Sequence, residues 1–179
     1  MKSIITTAFI CGLFFVGSGC KKDNPLSNDF NTPSTAAPVG LEGSWSSGFT
    51  SITQLIDVYT GKYVGGAWQS GKFFKITADG KHAEFYYSGQ SQYQQSATKA
   101  IGTIAFEEGS DATQGSFVFY AGWAHYNGWG NTPVNRDATQ EELSNNLTAK
   151  YYYRMEEGWL RIEPKAPVND YSSSFELIN

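Results

Sequence analysis

From about position 40 onward, apolar and polar residues alternate with period two in short runs separated by turn signals. That is the pattern of strands with two unlike faces. The clearest instance is KFFKITADGKHAEFYY, Lys72 to Tyr87. Asp79-Gly80 between two alternating runs predicts a hairpin, because a two-residue turn of this type takes positive φ at both positions. The loop then fixes the register. Ile76 faces Ala83 and Phe74 faces Phe85 on a largely apolar side, with Ala78 opposite Lys81 at the tip. Thr77 meets His82, Lys75 meets Glu84 and Phe73 meets Tyr86 on the other. The Lys75–Glu84 pair and the ring pair are favourable cross-strand neighbours, and a one-residue slip would scramble both faces.

A second hairpin is read in TAKYYYRMEEGWLRIEP, Thr148 to Pro164, with Glu157-Gly158 as its turn. Met155 then faces Leu160, Tyr153 faces Ile162, and Tyr151 faces Pro164. The opposite side sets Arg154 against Arg161, a like-charge pair that Glu156 and Glu163 are placed to relieve. Further strands are predicted at 44–49, 52–59, 62–68, 100–107, 116–123 and 174–178. In GSFVFYAGW, strict alternation puts Phe117, Phe119, Ala121 and Trp123 on one face. Val118, Tyr120 and Gly122 take the other.

One short helix is predicted over 138–146, where Thr139 and Glu142 form a capping box. Long polar loops are expected at 89–98 (Gln- and Ser-rich) and 124–136 (Asn-, Gly- and Trp-rich). About ten short strands at hairpin spacing with hardly any helix indicate an all-β domain. The expected form is a single antiparallel up-and-down barrel of about eight strands, with a β-sandwich as the alternative.

The predicted domain opens Gly40-Leu41-Glu42-Gly43-Ser44-Trp45. A Gly-x-Trp at the first strand, followed by an antiparallel meander, resembles the lipocalin or calycin superfamily, and bacterial lipocalin-like lipoproteins in particular. The resemblance implies that Gly43 and Trp45 belong to a structural motif in which the tryptophan plugs the closed end of the barrel. It also implies that an arginine from a late strand packs across the indole, Arg161 by preference or else Arg154. Two departures stand out. The helix that usually packs beside such barrels is not evident near the C-terminus, and no second motif lies between the middle strands.

The amino-terminal end has a different pattern. Lys2 is followed by a mostly apolar run from Ile4 to Val16 and then Gly17-Ser18-Gly19, the arrangement of an export signal. The run is too short to cross a bilayer core of about 30 Å. Small residues directly before Cys20 resemble the bacterial lipobox, although Gly17 stands where leucine is usual. That resemblance implies cleavage before Cys20, diacylglycerol on its thiol and acylation, as by palmitate, of the new amino terminus. Residues 1–19 would thus be a lipoprotein signal peptide, 20–39 a mobile tether, and 40–179 the barrel domain. Two or three acyl chains hold a protein firmly to a membrane. The expected location is the cell envelope, as an outer-membrane lipoprotein. The charged Lys21-Lys22-Asp23 resembles signals that send such proteins to the cell surface. Cys11 would leave with the leader, so no internal disulfide is available and stability must come from a packed core.

Composition narrows the chemistry. The chain of 179 residues has a net charge of −4 with scattered Lys and Arg, so a nucleic-acid partner is not expected. Aromatic residues make up 16% of it, enough for rings to dominate both core and any binding surface. There are two histidines, and none of the common nucleophile, metalloprotease or phosphate-loop motifs is present. His82 and Glu84 share a strand face but read as a solvated hairpin side. Glu107-Glu108 and Glu156-Glu157 read as turn charge. No catalytic residue, metal site or cofactor is expected, and the chain is read as a non-enzyme and a monomer.

The expected function is binding of a small apolar or amphipathic ligand. Phe74, Phe85, Phe117, Phe119 and Tyr153 (with Ile76) would line the interior, and the loop rings Trp123, Tyr126 and Trp129 would stand at the entrance. One alternative is a surface glycan-binding sandwich using Trp123, Tyr126 and Trp129 as a platform, with Asn127 and Asn131 beside them. A third reading is a structural or inhibitor lipoprotein whose interior is filled.

Overall fold

The computed structural model describes residues 30–48, 54–56, 63–66, 70–90, 94–130, 133–168 and 172–178, with side chains left aside for 54–56, 63–66, 90 and 94. Its strands are β1 (Gly43–Ser47), β2 (Gln54–Ile56), β3 (Tyr63–Gly66), β4 (Gly71–Ile76), β5 (Ala83–Gln90), β6 (Gln94–Phe106), β7 (Gln114–Gly130), β8 (Val134–Asp137), β9 (Ala149–Glu156), β10 (Trp159–Glu163) and β11 (Ser173–Ile178). A single helical turn, α1 (Gln140–Glu142), runs into a π-helical turn at Leu143–Leu147.

β1, β4, β5, β6, β7, β9, β10 and β11 pair antiparallel in that order, and β11 returns to β1. The result is a closed eight-stranded up-and-down barrel, which settles the choice against a sandwich. β2 and β3 form a separate two-stranded hairpin between β1 and β4, and β8 adds a ninth strand on the far half of β7. Closure removes the edges that an open sheet would present.

Both sequence-predicted hairpin registers are present. Phe74 pairs with Phe85, Lys75 with Glu84 and Phe73 with Tyr86; Met155 pairs with Leu160, Tyr153 with Ile162 and Arg154 with Arg161. The Glu157-Gly158 turn has positive φ at both positions, 52° and 83°. The Asp79-Gly80 turn differs, since of the two only Gly80 is left-handed, at 68°. Asp79 Oδ1 instead accepts from Thr77 Oγ1 and from the Lys81 amide, which closes a wider loop without changing the register.

The expected polar loops at 89–98 and 124–136 are largely strand. β5 and β6 run on to Gln90 and Gln94, and β7 runs on to Gly130 against β6 and β8. These stretches extend the pairing of β5 to β8 as a ribbon, and apart from the buried Ala124 they carry Gln, Ser and Asn where a core strand would carry Val or Phe.

One end of the barrel, the base, is formed by the start of β1, the β4–β5, β6–β7 and β9–β10 turns, and the end of β11. The chain from Thr35 to Glu42 is seated there, and residues 30–33 lie against β6 and β7, with the Phe30 ring on Gly122 and Thr103 Oγ1 donating to the Pro33 carbonyl, so this stretch of the expected tether is held by the barrel. The Thr35 amide donates to the Ile104 carbonyl at 3.1 Å, and the Ala37 amide donates to the Ala78 carbonyl at 2.9 Å. A side chain at Gly80 would run into the carbonyls of Thr35 and Ile104, so glycine is needed there for space as well as for its φ. Leu41 and Trp45 are each 1% exposed, and the indole Nε1 donates to the Leu41 carbonyl at 3.1 Å. The signal segment, Cys20 and the first half of the expected tether lie outside the described residues.

Candidate functional site

The interior of the barrel is mostly occupied by its own rings. Phe117 is the hub, with centroids 5.6 Å from Phe74, 5.5 Å from Phe106, 5.6 Å from Tyr151 and 6.1 Å from Tyr153. Phe74 also meets Phe85 at 6.0 Å and Phe119 at 6.3 Å in edge-to-face geometry. Such offset contacts add to the burial of each ring. Tyr153 is 1% exposed, and its hydroxyl donates to the Asp111 carbonyl at 2.6 Å. Burial pushes that phenol up to about 12, so it remains a donor throughout the physiological range.

Above this layer, at the end opposite the base, a cavity of about 220 Å³ remains. It is lined by Lys72, Phe74, Phe85, Tyr151, Ile162, Glu163, Pro164, Ser173 and Phe175. The wall follows from strand parity. Lys72, Phe74 and Ile76 alternate on the inner side of β4, paired with Tyr87, Phe85 and Ala83. Ile162 pairs with Ser173, and Leu160 with Phe175, on the inner side of β10 and β11. Lys72 is therefore an ammonium on an otherwise apolar inner face. Its Nζ donates to Ser173 Oγ at 2.8 Å, and it forms no ion pair among the described residues. Burial raises the Tyr151 phenol above its ordinary range, so it meets the cavity as a neutral hydroxyl.

The expected ligand-lining residues divide into three groups. Phe74 and Phe85 line the cavity. Phe117, Phe119 and Tyr153 are buried in the ring layer beneath it and fill space there. Trp123, Tyr126 and Trp129 do not gather at an entrance or on one platform. The pairing of β6 with β7 shifts between Ile101 and Gly102, which leaves Gly122 as an extra residue. The bulge reverses the alternation, so Trp123 pairs with Ile101 on the outer side, away from Phe117 and Phe119. Trp123 stacks on His125 at 6.1 Å, and His125 bonds Asp137 at 2.7 Å and Asn135 at 2.9 Å. Trp129 shares that outer side and is 54% exposed, its Nε1 donating to Gln95 Oε1 at 2.8 Å. Tyr126 turns to the opposite side, where the Arg136 guanidinium lies 5.2 Å from its ring centre. Asn131 lies outside the described residues.

The expected arginine over Trp45 is also not formed. Arg161 alternates with buried Leu160 and Ile162, and Arg154 with buried Tyr153, so both stand outside the barrel while the indole is inside. Glu156 Oε2 bridges them, 3.0 Å from Arg154 Nη2 and 3.2 Å from Arg161 Nε. This carboxylate offsets the like-charge contact. Gly43 does have a backbone reason to be glycine, with φ at 132°, and a Cβ there would come within 2.8 Å of Leu177 Cδ1.

His82 and Glu84 belong to an outer-face charge cluster. Glu84 accepts from His82 Nε2 at 2.9 Å and lies 3.3 Å from Lys99 and 3.7 Å from Lys75. Burial alone would raise the Glu84 carboxyl. The His82 hydrogen bond and the two ammonium groups outweigh it and bring the carboxyl down to about 2. The cluster is a satisfied ion network, not an acid/base pair. Of the turn acids, Glu107 is held by Lys150 and Ser116, each at 2.6 Å.

The residues that sequence reasoning missed are Lys72, Tyr151, Ile162, Ser173 and Phe175 as cavity walls. The signal for Lys72 was present: it sits two positions before Phe74, so any fold that turns Phe74 inward brings an ammonium in with it. Comparison with protein-family models, with curated proteins and with solved structures finds no match to this chain.

Proposed function

We propose that this chain is a lipocalin-like binding protein of the cell envelope, which holds a small apolar or amphipathic molecule inside its barrel and catalyses nothing. The carrying observation is the cavity of about 220 Å³, walled by Phe74, Phe85, Tyr151, Ile162 and Phe175. Apolar walls with a few convergent polar groups are the ordinary make-up of a small-molecule site. The volume restricts the occupant. Pockets for drug-sized ligands span roughly 300–1,000 Å³, while an apolar cavity of about 150 Å³ takes up benzene. A ring with a short substituent, or a chain of similar bulk, is the size that fits. Long-chain lipids are not.

Calorimetric titration of the purified protein with 2-phenylethanol tests this reading. Saturable one-site binding supports it; no heat with this or similar small alcohols would favour the structural lipoprotein with a filled interior.

A glycan surface is the second reading, favoured by Trp123, His125, Asn127 and Trp129 on one outer side. Six residues of strand separate the two indoles, about 20 Å, so the ligand would be an extended chain and not one sugar. Tryptophan quenching by soluble polysaccharides, with no response to 2-phenylethanol, would decide for it.

The proposed anchor is diacylglycerol on Cys20, and the proposed setting is the outer membrane. Labelled palmitate should enter the wild-type protein and not the Cys20→Ser variant.

A further inference from the structure

We infer that the ligand of the barrel cavity is a small monoanion with an apolar body, its carboxylate or equivalent acidic group received by Lys72 Nζ with Ser173 Oγ beside it. The inference rests on the cavity being a binding site and adds the charge and orientation of what it binds.

Lys72 projects from an inner position of β4, between the wall residues Phe74 and Phe85 on one side and Phe175 on the other. A hydroxyl at 2.8 Å is the one partner recorded for its Nζ among the described residues. An ammonium carries three donors, so one hydroxyl leaves donor capacity directed at the cavity. A charged donor held against apolar walls is costly unless it meets a counter-charge, and no described carboxylate lies within ion-pair distance of it. Among the described residues, the other buried or half-buried lysines, Lys75 and Lys99, stand on the outer face and share Glu84 there. An anionic group entering the cavity would complete the Lys72 site with a charge-assisted hydrogen bond.

Glu163 also borders the cavity and is the group that argues the other way. Its position alternates with inward Ile162, and it pairs with Tyr152 on the outer side of β10. Its carboxylate therefore stands at the rim, while the ammonium stands inside. Tyr151, a neutral phenol at physiological pH, brings a second hydroxyl to the wall. The interior thus presents donors and positive charge at one end and rings along the rest. The acidic group would lie toward Lys72 and Ser173, and the apolar body against Phe74, Phe85, Ile162 and Phe175.

Three probes of one size separate the charges: phenylacetate, 2-phenylethanol and 2-phenylethylamine, each titrated into the purified protein at low and moderate salt. Phenylacetate should bind at least tenfold more tightly than the neutral alcohol, and the amine more weakly than either. Lys72→Met should lower phenylacetate affinity at least tenfold more than it changes 2-phenylethanol affinity. Ser173→Ala, which removes only the neighbouring hydroxyl, should give a smaller loss of the same sign and serves if Lys72→Met does not fold. Equal affinity for acid and alcohol, unaffected by either variant, overturns the anion assignment while leaving the cavity a binding site. Tighter binding of the amine overturns it in favour of Glu163. Failure of all three probes to bind overturns the cavity reading and the anion assignment together.

Discussion

The indole of Trp45 and the carbonyl of Leu41 are joined by a hydrogen bond of 3.1 Å at the base of the barrel, with each residue 1% exposed. The bond ties the segment that precedes the barrel to its first strand, and the ring fills the space beneath the phenylalanine layer. Trp45→Ala removes both and should cost about 3–5 kcal/mol. Trp45→Phe keeps most of the bulk but leaves the Leu41 carbonyl unpaired, and should cost about 1–3 kcal/mol. Chemical denaturation checks both: the midpoint should fall in that order with the slope unchanged.

Gly80 is the crossing point of three chain segments. Its amide and carbonyl are taken by the Thr77 carbonyl and the Ile104 amide, and its Cα faces the Thr35 carbonyl. Gly80→Ala should therefore destabilise by about 1–3 kcal/mol, from strain at positive φ and displacement of backbone. The loss should be local before it is global. Hydrogen exchange at the Thr35 and Ala37 amides should speed up by more than exchange within β7. Uniform acceleration across the barrel would contradict the close approach as its cause.

Glu84 gives the fold a pH dependence of known sign. Its carboxyl lies at about 2 in the folded protein against 4.5 for the free group. A carboxylate depressed in this way stabilises the fold above about pH 4.5, and that contribution disappears as pH falls through about 2. The shift corresponds to a contribution on the order of 3 kcal/mol. Glu84→Gln should lower stability at neutral pH and flatten the decline between about pH 4.5 and 2. The difference between wild type and variant isolates this group from other lowered acids such as Asp111 and Glu107. A difference that stays constant down to pH 2 would show that Glu84 is not the titrating group.

Much of the frame was legible because two hairpins carry redundant information. In each, the turn residues, the apolar face and the charge pairs agree on one register, and closing the barrel needs only that such hairpins continue around. The Gly122 bulge was not legible. A single extra residue leaves the composition of GSFVFYAGW unchanged and merely inverts which side Trp123 takes, and with apolar residues on both sides nothing in the pattern marks the slip. The ribbon formed by the ends of β5, β6 and β7 was read as loop for a related reason, since strands that bury few apolar side chains lose their apolar signal. The arginine expected over Trp45 failed on parity, because Arg161 alternates with the very residues that face the indole's side. The cavity depends on how completely Phe117, Phe119 and Tyr153 fill the interior, a property of packed volumes that no alternation records.

The loop rings invite a prediction of their own. Trp129 is exposed and held by Gln95, whereas Phe117 lies at the centre of the core. Trp129→Ala should leave the thermal midpoint within about 2 °C, while Phe117→Ala should cost about 3–5 kcal/mol. If Trp129→Ala also leaves 2-phenylethanol affinity unchanged, the ligand site is inside the barrel and not on its outer ribbon.

The most direct test of the central claim is an amide and methyl NMR titration with 2-phenylethanol, repeated on Ile162→Phe, which adds bulk to the cavity wall. The account predicts saturable shifts at Lys72, Phe74, Phe85, Ile162, Ser173 and Phe175 in the wild type, and their loss in the variant. Absence of shifts at those residues, or shifts confined to the outer side around Trp123 and Trp129, would contradict it.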